Sequence, residues 1–290
     1  MKIAVASGKG GTGKTTIASS LVQTLAKNGR KVQYLDCDVE APNGHIFIKP
    51  VFDQRKNVDI LIPSVDESKC TGCGRCGEVC EFHAIVVLGG KPLVFPDLCH
   101  GCGSCTMECP DRAISEKPET LGVLESGQAG ENILFAQGTL NIGEPMAVPI
   151  ISQLKKWKIP SPTGVTVIDS SPGTSCPVVE SLRGADFVIL VTEPTPFGLH
   201  DLKLAAKLVE DLKIPAGVII NRDGVGDSHV DEFCKEASLP IILRIPLERE
   251  IGQGIAEGKL LTDIRPGYKK QFLQMYTQIG EIRAAWEGIK

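Results

Sequence analysis

The sequence predicts an α/β fold, in which a doubly wound, mostly parallel sheet is interrupted by a smaller α+β segment. Short runs of β-branched residues alternate with helical patterns along most of the 290 residues, as in a parallel sheet covered on both faces. Between residues 63 and 118, cysteine and glycine replace this alternation. We therefore predict one large domain in two parts, 1–62 and 119–290, around an inserted domain, 63–118.

The individual elements follow from local periodicity. Runs of valine and isoleucine bounded by turn residues predict strands at Ile3–Ala6, Lys31–Leu35, Val165–Ile168, Phe187–Val191, Gly217–Ile220 and Pro240–Ile245. Apolar residues spaced three and four apart predict helices at Thr15–Asn28, Ala147–Trp157, Leu199–Leu212, Val230–Ser238 and Lys269–Gly288. Two short strand-like runs in Leu121–Leu140 predict a hairpin or a returning sheet edge.

Composition excludes several classes of function. The net charge of −4 and the isoelectric point of about 5.8 give no basic footprint for nucleic acid or for an anionic membrane. A strand begins at Lys2, so no signal peptide is expected, and no apolar run approaches the roughly 18 residues that span a bilayer. Eleven cysteines without a secretion signal favour metal ligation over disulfides, which predicts a cytoplasmic protein.

A glycine-rich loop follows the first predicted strand and precedes the first predicted helix. Its residues match the pattern GxxxxGK[ST]: Gly8, Lys9, Gly10, Gly11, Thr12, Gly13, Lys14 and Thr15. Backbone N–H groups in such a loop surround phosphates, and the helix dipole favours the same negative charge. Lys14 is predicted to reach the β- and γ-phosphates of ATP, Thr15 to bind Mg²⁺, and Thr16 to contact the nucleotide.

Lys9 is a second lysine that a simple phosphate loop does not require. The stretch SGKGGTGKTT resembles the deviant Walker motif of the MinD/ParA/Mrp class of P-loop NTPases, which includes the nitrogenase iron protein. The resemblance implies that Lys9 reaches the phosphates of a partner subunit, so that the ATP-bound form is a homodimer. A solvated surface lysine is the alternative.

Two aspartate segments resemble the switch regions of the same class. In Asp36-Cys37-Asp38, the resemblance implies that Asp38 positions the attacking water and that Asp36 lies close to Mg²⁺. In the second segment, residues 168–173, the resemblance implies that Asp169 holds Mg²⁺ through water and that Gly173 senses the γ-phosphate. Asn221 resembles the adenine-reading asparagine of the class, although it could instead cap its loop. The alternative for both aspartate segments is that acidic residues end these strands only because they favour solubility.

The cysteines of the inserted segment form an internal duplication. Cys70, Cys73, Cys76 and Cys80 recur 29 positions later as Cys99, Cys102, Cys105 and Cys109. The spacing resembles that of bacterial two-cluster ferredoxins, in which the fourth cysteine of each run ligates the other cluster. The resemblance implies one [4Fe–4S] cluster on Cys70, Cys73, Cys76 and Cys109, and a second on Cys80, Cys99, Cys102 and Cys105. Zinc is the alternative metal, but it gives no reason for the third cysteine of each run.

Three cysteines and the C-terminal helix remain. Cys37 and Cys234 are predicted to be packed in the interior. A cluster that bridges a dimer through Cys176 would need a second cysteine in each subunit, and the comparable stretch, 125–130, contains none. Cys176 is therefore a candidate reactive thiol. His100 is either a cluster-tuning residue or an exposed turn histidine. The predicted helix Lys269–Gly288 lacks a basic face, so we expect it to pack against the ATPase core and not to anchor a membrane.

These motifs predict an ATP-binding and ATP-hydrolysing protein with two [4Fe–4S] clusters, which passes electrons to a redox partner under the control of nucleotide state. An assembly ATPase that carries clusters to an apo-metalloprotein is a second hypothesis. A positioning ATPase of the cell-division type with structural clusters is a third.

Overall fold

The computed structural model describes residues 1–157 and 164–288. Its strands are β1 (Lys2–Ala6), β2 (Val32–Cys37), β3 (Val51–Val65), β4 (Ile85–Leu88), β5 (Lys91–Val94), β6 (Ile114–Ala129), β7 (Ile133–Leu140), β8 (Val165–Ser170), β9 (Phe187–Thr192), β10 (Ala216–Asp223) and β11 (Ile241–Pro246). Its helices are α1 (Lys14–Lys27), α2 (Gly44–Ile48), α3 (Arg75–Glu78), α4 (Ser104–Met107), α5 (Val148–Lys156), α6 (Cys176–Leu182), α7 (Pro196–Asp211), α8 (His229–Glu236), α9 (Arg249–Ala256), α10 (Leu261–Ile264) and α11 (Tyr268–Glu287).

The main sheet has the predicted α/β organisation. Among the described residues its strand order is β11-β10-β9-β1-β8-β2-β7-β6-β3, and the six pairings from β11 to β7 are parallel. In the central strand β1, the successive residues Ile3, Ala4 and Val5 are all fully buried, so both faces of the sheet are covered. This confirms the predicted parallel α/β sheet.

Within the main sheet, the differences from the predicted strands concern β3 and β6. We predicted no strand at Val51–Val65, and its first seven residues are exposed, so the pattern lacks the apolar signal of a buried strand. The first of the two runs expected in Leu121–Leu140 belongs to a strand that starts at Ile114 and spans 16 residues. Its early residues are charged or polar, and pairing with neighbouring strands overrides their low strand propensity.

The chain forms two compact units. The first contains Met1–Arg55, Leu124–Thr139 and Ile151–Lys290, and the second contains Lys56–Val123 and Leu140–Ile150. The core of the first unit is built from alternate residues of the sheet and from helices on one side of it, including Ile17 and Leu21 of α1 and Phe272 and Ile279 of α11.

The second unit repeats one local structure. Helices α3 and α4 begin 29 residues apart, and each follows a glycine with positive φ, Gly74 at 86° and Gly103 at 76°. His83 and Arg112, also 29 residues apart, have φ values of 51° and 50°. Strands β4 and β5 form an antiparallel pair in this unit. The duplication in the sequence is therefore also a duplication of backbone conformation.

Candidate functional site

The glycine-rich loop connects the end of β1 to the start of α1, and two of its glycines are required by space. A Cβ at Gly8 would lie 2.4 Å from the Asp201 carbonyl oxygen. At Gly13 the φ angle is +97°, and a Cβ would lie 2.5 Å from Nδ2 of Asn221. The loop thus packs against the backbone of α7 at Gly8 and against the Asn221 side chain of β10 at Gly13.

The loop opens onto a cleft with a volume of about 390 Å³. Of the residues predicted to bind or hydrolyse nucleotide, the cleft is lined by Gly10, Gly11, Gly13, Lys14, Thr15, Thr16, Asp38 and Asn221. The wall of the cleft also contains Phe47, Arg222, Pro246, Leu247 and Glu248. Gly8, Lys9, Thr12, Asp36, Asp169 and Gly173 do not line this cleft. Gly173 has a φ of +96°, and its N–H donates to the Ser7 carbonyl at 2.9 Å, so it lies beside the phosphate loop.

Two buried aspartates lie side by side at the carboxyl ends of adjacent strands. Asp36 of β2 is paired in register with Asp169 of β8, and both side chains are fully buried. The backbone N–H groups of Asn43 and Gly44 donate to Asp36 at 3.1 and 2.9 Å. Burial, followed by the charge of Asp169, raises the pKa of Asp36. A pair of carboxylates this close, out of water, favours a cation between or beside them.

Tyr34 fixes the orientation of Asp169, and the sequence analysis missed it. The Tyr34 hydroxyl donates to Asp169 Oδ2 at 2.8 Å, and its ring stacks on Phe135 with centroids 5.2 Å apart. Within the described part of the chain, Asp169 Oδ1 is buried without a hydrogen-bond partner. Burial raises the pKa of Asp169, while the nearby hydroxyls of Thr15 and Tyr34 lower it. This unpartnered oxygen, beside a threonine hydroxyl, fits a Mg²⁺ site.

Lys14 and Asp38 bring opposite charges to the same region. Lys14 is 6% exposed, and burial lowers its pKa while Asp169 and Asp38 raise it. Burial, followed by the charge of Asp169, raises the pKa of Asp38 to about 6. Asp38 therefore has the properties of a carboxylate that can accept a hydrogen bond from water near neutral pH.

A second charged cluster links the loop to the end of β9. Glu193, which is 7% exposed, accepts from Lys9 Nζ at 3.3 Å and from Arg222 Nη1 at 2.7 Å. Arg222 Nη2 also donates to the Gly11 carbonyl at 3.4 Å. Asn221 Nδ2 donates to the Thr12 carbonyl at 2.7 Å, so this amide anchors the loop in the present structure. The signal for Glu193 in the sequence was an acidic residue directly after a buried strand.

Two small cavities in the second unit collect the repeated cysteines. The first cavity is lined by Cys70, Cys73, Cys76 and Cys109, and the second by Cys80, Cys99, Cys102 and Cys105. Each set takes three cysteines from one run and the fourth from the other run. The structure therefore brings together the same two groups of four that the ferredoxin-like spacing implied.

The surroundings of the fourth cysteines suit a thiolate-ligated cluster. The N–H of Ala84 donates to Cys80 Sγ at 3.2 Å, and the N–H of Ala113 donates to Cys109 Sγ at 3.3 Å. Such hydrogen bonds stabilise negative charge on cluster thiolates. In the described residues, no three His, Cys, Asp or Glu side chains are arranged to hold one metal ion. Four thiols around a cavity, with N–H donors, fit a [4Fe–4S] cluster.

Cys37 and Cys234 are buried, as predicted, and burial raises the pKa of Cys234 to about 11. Cys176 is exposed at the start of α6. In α11, Phe272, Met275 and Ile279 are buried in the core, which agrees with a packed C-terminal helix. No helix in 1–157 or 164–288 has the length and hydropathy that a bilayer-crossing segment requires.

A glycine-rich loop between a buried parallel strand and a helix, next to aspartates at the ends of neighbouring strands, defines a P-loop nucleotide-binding protein. The chain belongs to the CobQ/CobB/MinD/ParA nucleotide-binding domain family, whose model matches residues 3–261. Its fold is similar to that of the septum site-determining protein MinD of Pyrococcus horikoshii OT3 in complex with Mg-ADP, with a TM-score of 0.58 and 19% identity over 98% of both chains.

Two relatives are similar in sequence to most of this chain. An uncharacterised protein of Methanocaldococcus jannaschii is 35% identical over 229 residues, which cover 78% of this chain and 82% of the relative. A protein of Nematostella vectensis named as a cytosolic Fe-S cluster assembly factor NUBP2 homolog is 25% identical over 284 residues, which cover 90% of this chain and 85% of the relative.

Proposed function

We propose that this protein binds and hydrolyses ATP at the cleft beside the phosphate loop and passes electrons to a partner protein from two [4Fe–4S] clusters, under the control of nucleotide state. The observation that carries the proposal is the assembly of two complete sets of four cysteines in one unit of a P-loop protein. Four thiolates are the ligand set that a [4Fe–4S] cluster takes.

In the nucleotide site, the chain's own residues bind and orient. The N–H groups from Gly10 to Thr15 and the ammonium group of Lys14 hold the phosphates. Asn221, which lines the cleft, would contact the adenine base. Thr15, Asp36 and Asp169 would hold Mg²⁺, which when bound offsets phosphate charge. Asp38 orients the attacking water, and Gly173 responds to the γ-phosphate. Lys9 acts on the nucleotide of a second copy, so the ATP-bound form is a homodimer.

In the second unit, Cys70, Cys73, Cys76 and Cys109 would hold one cluster, and Cys80, Cys99, Cys102 and Cys105 the other. A bound [4Fe–4S] cluster supplies a one-electron redox centre. Residues 63–118 form the inserted ferredoxin-like domain of this proposal. The two switch segments lie on either side of this insertion in the sequence, which supports control of electron release by hydrolysis.

One observation favours a second function, the transfer of clusters to an apo-protein. Cys73 and Cys102, one from each set, are exposed, so an acceptor thiol can approach one ligand of each cluster. The relative named as a cluster assembly factor supports the same possibility.

Anaerobic purification followed by nucleotide addition tests the proposal. We expect about eight irons per chain, cluster spectra of the [4Fe–4S] type, and a rate of electron release to an acceptor that changes when ATP is added. A cluster carrier would instead lose iron to an apo-acceptor. Lys14→Ala should lose ATP turnover and keep about eight irons. Electron release that is the same with ATP, with ADP and without nucleotide would refute control by nucleotide.

A further inference from the structure

The two cysteine-lined cavities differ in their outer walls. The wall of the second cavity includes Leu61, Phe82 and His100, and Leu61 and Phe82 are 49% and 41% exposed. The rings of Phe82 and His100 stack with centroids 3.6 Å apart and planes 12° apart. Phenylalanine is usually buried, so an exposed aromatic pair in the wall of a cysteine-lined cavity requires an explanation.

Two further exposed apolar residues, Phe95 and Leu98, belong to chain segments that adjoin this wall. The N–H of Phe95 donates to the Ala84 carbonyl at 2.7 Å, which places Phe95 close to the chain that carries Phe82. Leu98, which precedes Cys99, donates its N–H to the Phe95 carbonyl at 3.2 Å. Phe95 and Leu98 are 45% and 50% exposed. We call the surface formed by Leu61, Phe82, Phe95, Leu98 and His100 the aromatic face.

The first cavity has a polar exterior. The Thr71 hydroxyl donates to Asp111 at 2.6 Å, and Arg75 pairs with Glu108 at 2.9 Å and with Glu78 at 3.4 Å. Among the described residues that line this cavity, none is a large exposed hydrophobic residue. Large exposed hydrophobic residues therefore line the second cavity, and none among the described residues lines the first.

The charge around the aromatic face indicates the kind of partner. Residues 56–123 contain six Lys and Arg and ten Asp and Glu, and this excess of four acidic residues equals the net charge of −4 of the whole chain. Glu81 and Asp97 adjoin Phe82 and Leu98 in sequence, and Glu116 lines the second cavity. The face is thus an apolar patch in the acidic part of the protein, complementary to a basic surface with an apolar centre.

We propose that the aromatic face is the docking surface for a basic electron-carrier protein, and that the site formed by Cys80, Cys99, Cys102 and Cys105 is the one that exchanges electrons with it. The inference rests on the proposed function, since it requires a cluster at that site. A face of five side chains suits a transient complex, because electron-transfer encounters bury less than about 1,200 Å². A partner docked on this face would lie next to the wall of the cavity that holds these four cysteines.

Reduction of cytochrome c, a basic haem protein, tests the proposal. Dithionite supplies electrons to the protein, its excess is removed, and one electron then passes from the reduced protein to each ferric haem, which becomes ferrous. The variant Phe82→Ser/Leu98→Ser removes two side chains of the face without touching a cysteine. Leu88→Ser/Leu93→Ser is the matched control, because these leucines are 64% and 47% exposed and line neither cavity.

We expect the second-order rate constant for cytochrome c reduction to fall about tenfold or more in Phe82→Ser/Leu98→Ser. It should change less than about twofold in Leu88→Ser/Leu93→Ser. Fluorescence titration with redox-inert zinc cytochrome c should show a matching loss of affinity, and raising the salt from about 20 to about 200 mM should weaken binding in the wild type. Equal rates and affinities in the two variants, with about eight irons in each, would overturn the docking proposal alone. Fewer irons in the wild type would overturn the cluster assignment as well.

Discussion

Glu193 holds Lys9, the extra lysine of the phosphate loop, in an ion pair of 3.3 Å within the same chain. The other carboxylate oxygen of Glu193 binds Arg222 at 2.7 Å, so one buried acid neutralises two cations beside the nucleotide cleft. In the proposed dimer, Lys9 would exchange this ion pair for the phosphates of the second copy. The pair therefore opposes a dimer in which Lys9 acts across the interface.

The variant Glu193→Gln should favour that dimer. It keeps the shape of the side chain but removes the charge that retains Lys9, whose side chain is 34% exposed. Because a partly exposed ion pair contributes up to about 1 kcal/mol, we expect the dimer dissociation constant with a non-hydrolysable ATP analogue to fall by up to about fivefold. Sedimentation velocity measures this dissociation constant. The double variant Lys9→Ala/Glu193→Gln should show no such gain over Lys9→Ala, and an equal gain there would contradict the assignment.

The variant Tyr34→Phe should weaken Mg²⁺ binding. It removes the hydroxyl that donates to Asp169 at 2.8 Å and keeps the ring that stacks on Phe135. A hydrogen bond to a charged group contributes about 1.5–3 kcal/mol, so we expect the apparent affinity for Mn²⁺ in the presence of ADP to fall about tenfold, as measured by electron paramagnetic resonance.

Phe135→Leu is the control for this prediction. It removes the stacking partner but leaves the hydroxyl, so it should lower the free energy of unfolding by about 1–2 kcal/mol and leave the Mn²⁺ affinity unchanged. If both variants lose affinity equally, the effect comes from packing and not from the orientation of Asp169.

Alanine variants of the cysteines test whether each cluster takes three ligands from one run and its fourth ligand from the other run. Cys80→Ala should remove the cluster of the second cavity and lower the iron content from about eight to about four. Cys80→Ala/Cys99→Ala should still keep about four irons, because both residues line the same cavity. Cys80→Ala/Cys70→Ala should keep almost none. The opposite result for the two double variants would show that each run of four cysteines holds its own cluster.

Asp38 should make stability depend on pH. Its pKa is raised to about 6, mainly by burial, above the unfolded value of about 3.9. The folded state therefore holds the proton more tightly, and this contribution to stability is complete below the unfolded pKa and is lost as the pH rises through about 6. Between about pH 5 and pH 7.5, the nucleotide-free, Mg²⁺-free wild type should lose stability with rising pH relative to Asp38→Asn.

Chemical denaturation under anaerobic conditions measures this difference. Asp66→Asn is the control, because Asp66 is exposed and its pKa is lowered to about 2 by hydrogen bonds from Ser68 and Lys69. Its titration lies below the range tested, so this variant should follow the wild type. Stability of the wild type that rises with pH relative to Asp38→Asn would contradict the raised pKa.

The sequence by itself determined the elements whose signals are local. The glycines and Lys14 of the phosphate loop lie within eight consecutive residues, and the buried strands of the sheet carry continuous apolar runs, so their ends were predicted within a few residues. The strand Val51–Val65 was not predicted, because its first seven residues are exposed and lack the apolar signal of a buried strand, and pairing with its neighbour β6 holds it in the sheet.

The tertiary structure alone decided which distant side chains meet. Tyr34 and Asp169 are 135 residues apart, and Lys9 and Glu193 are 184 residues apart, so both contacts depend on how strands are ordered in the sheet. The exposure of Phe82 and His100 beside one cavity is likewise a result of packing. Sequence patterns report the burial and backbone preferences of near neighbours, whereas these contacts arise from long-range register, which no local pattern encodes.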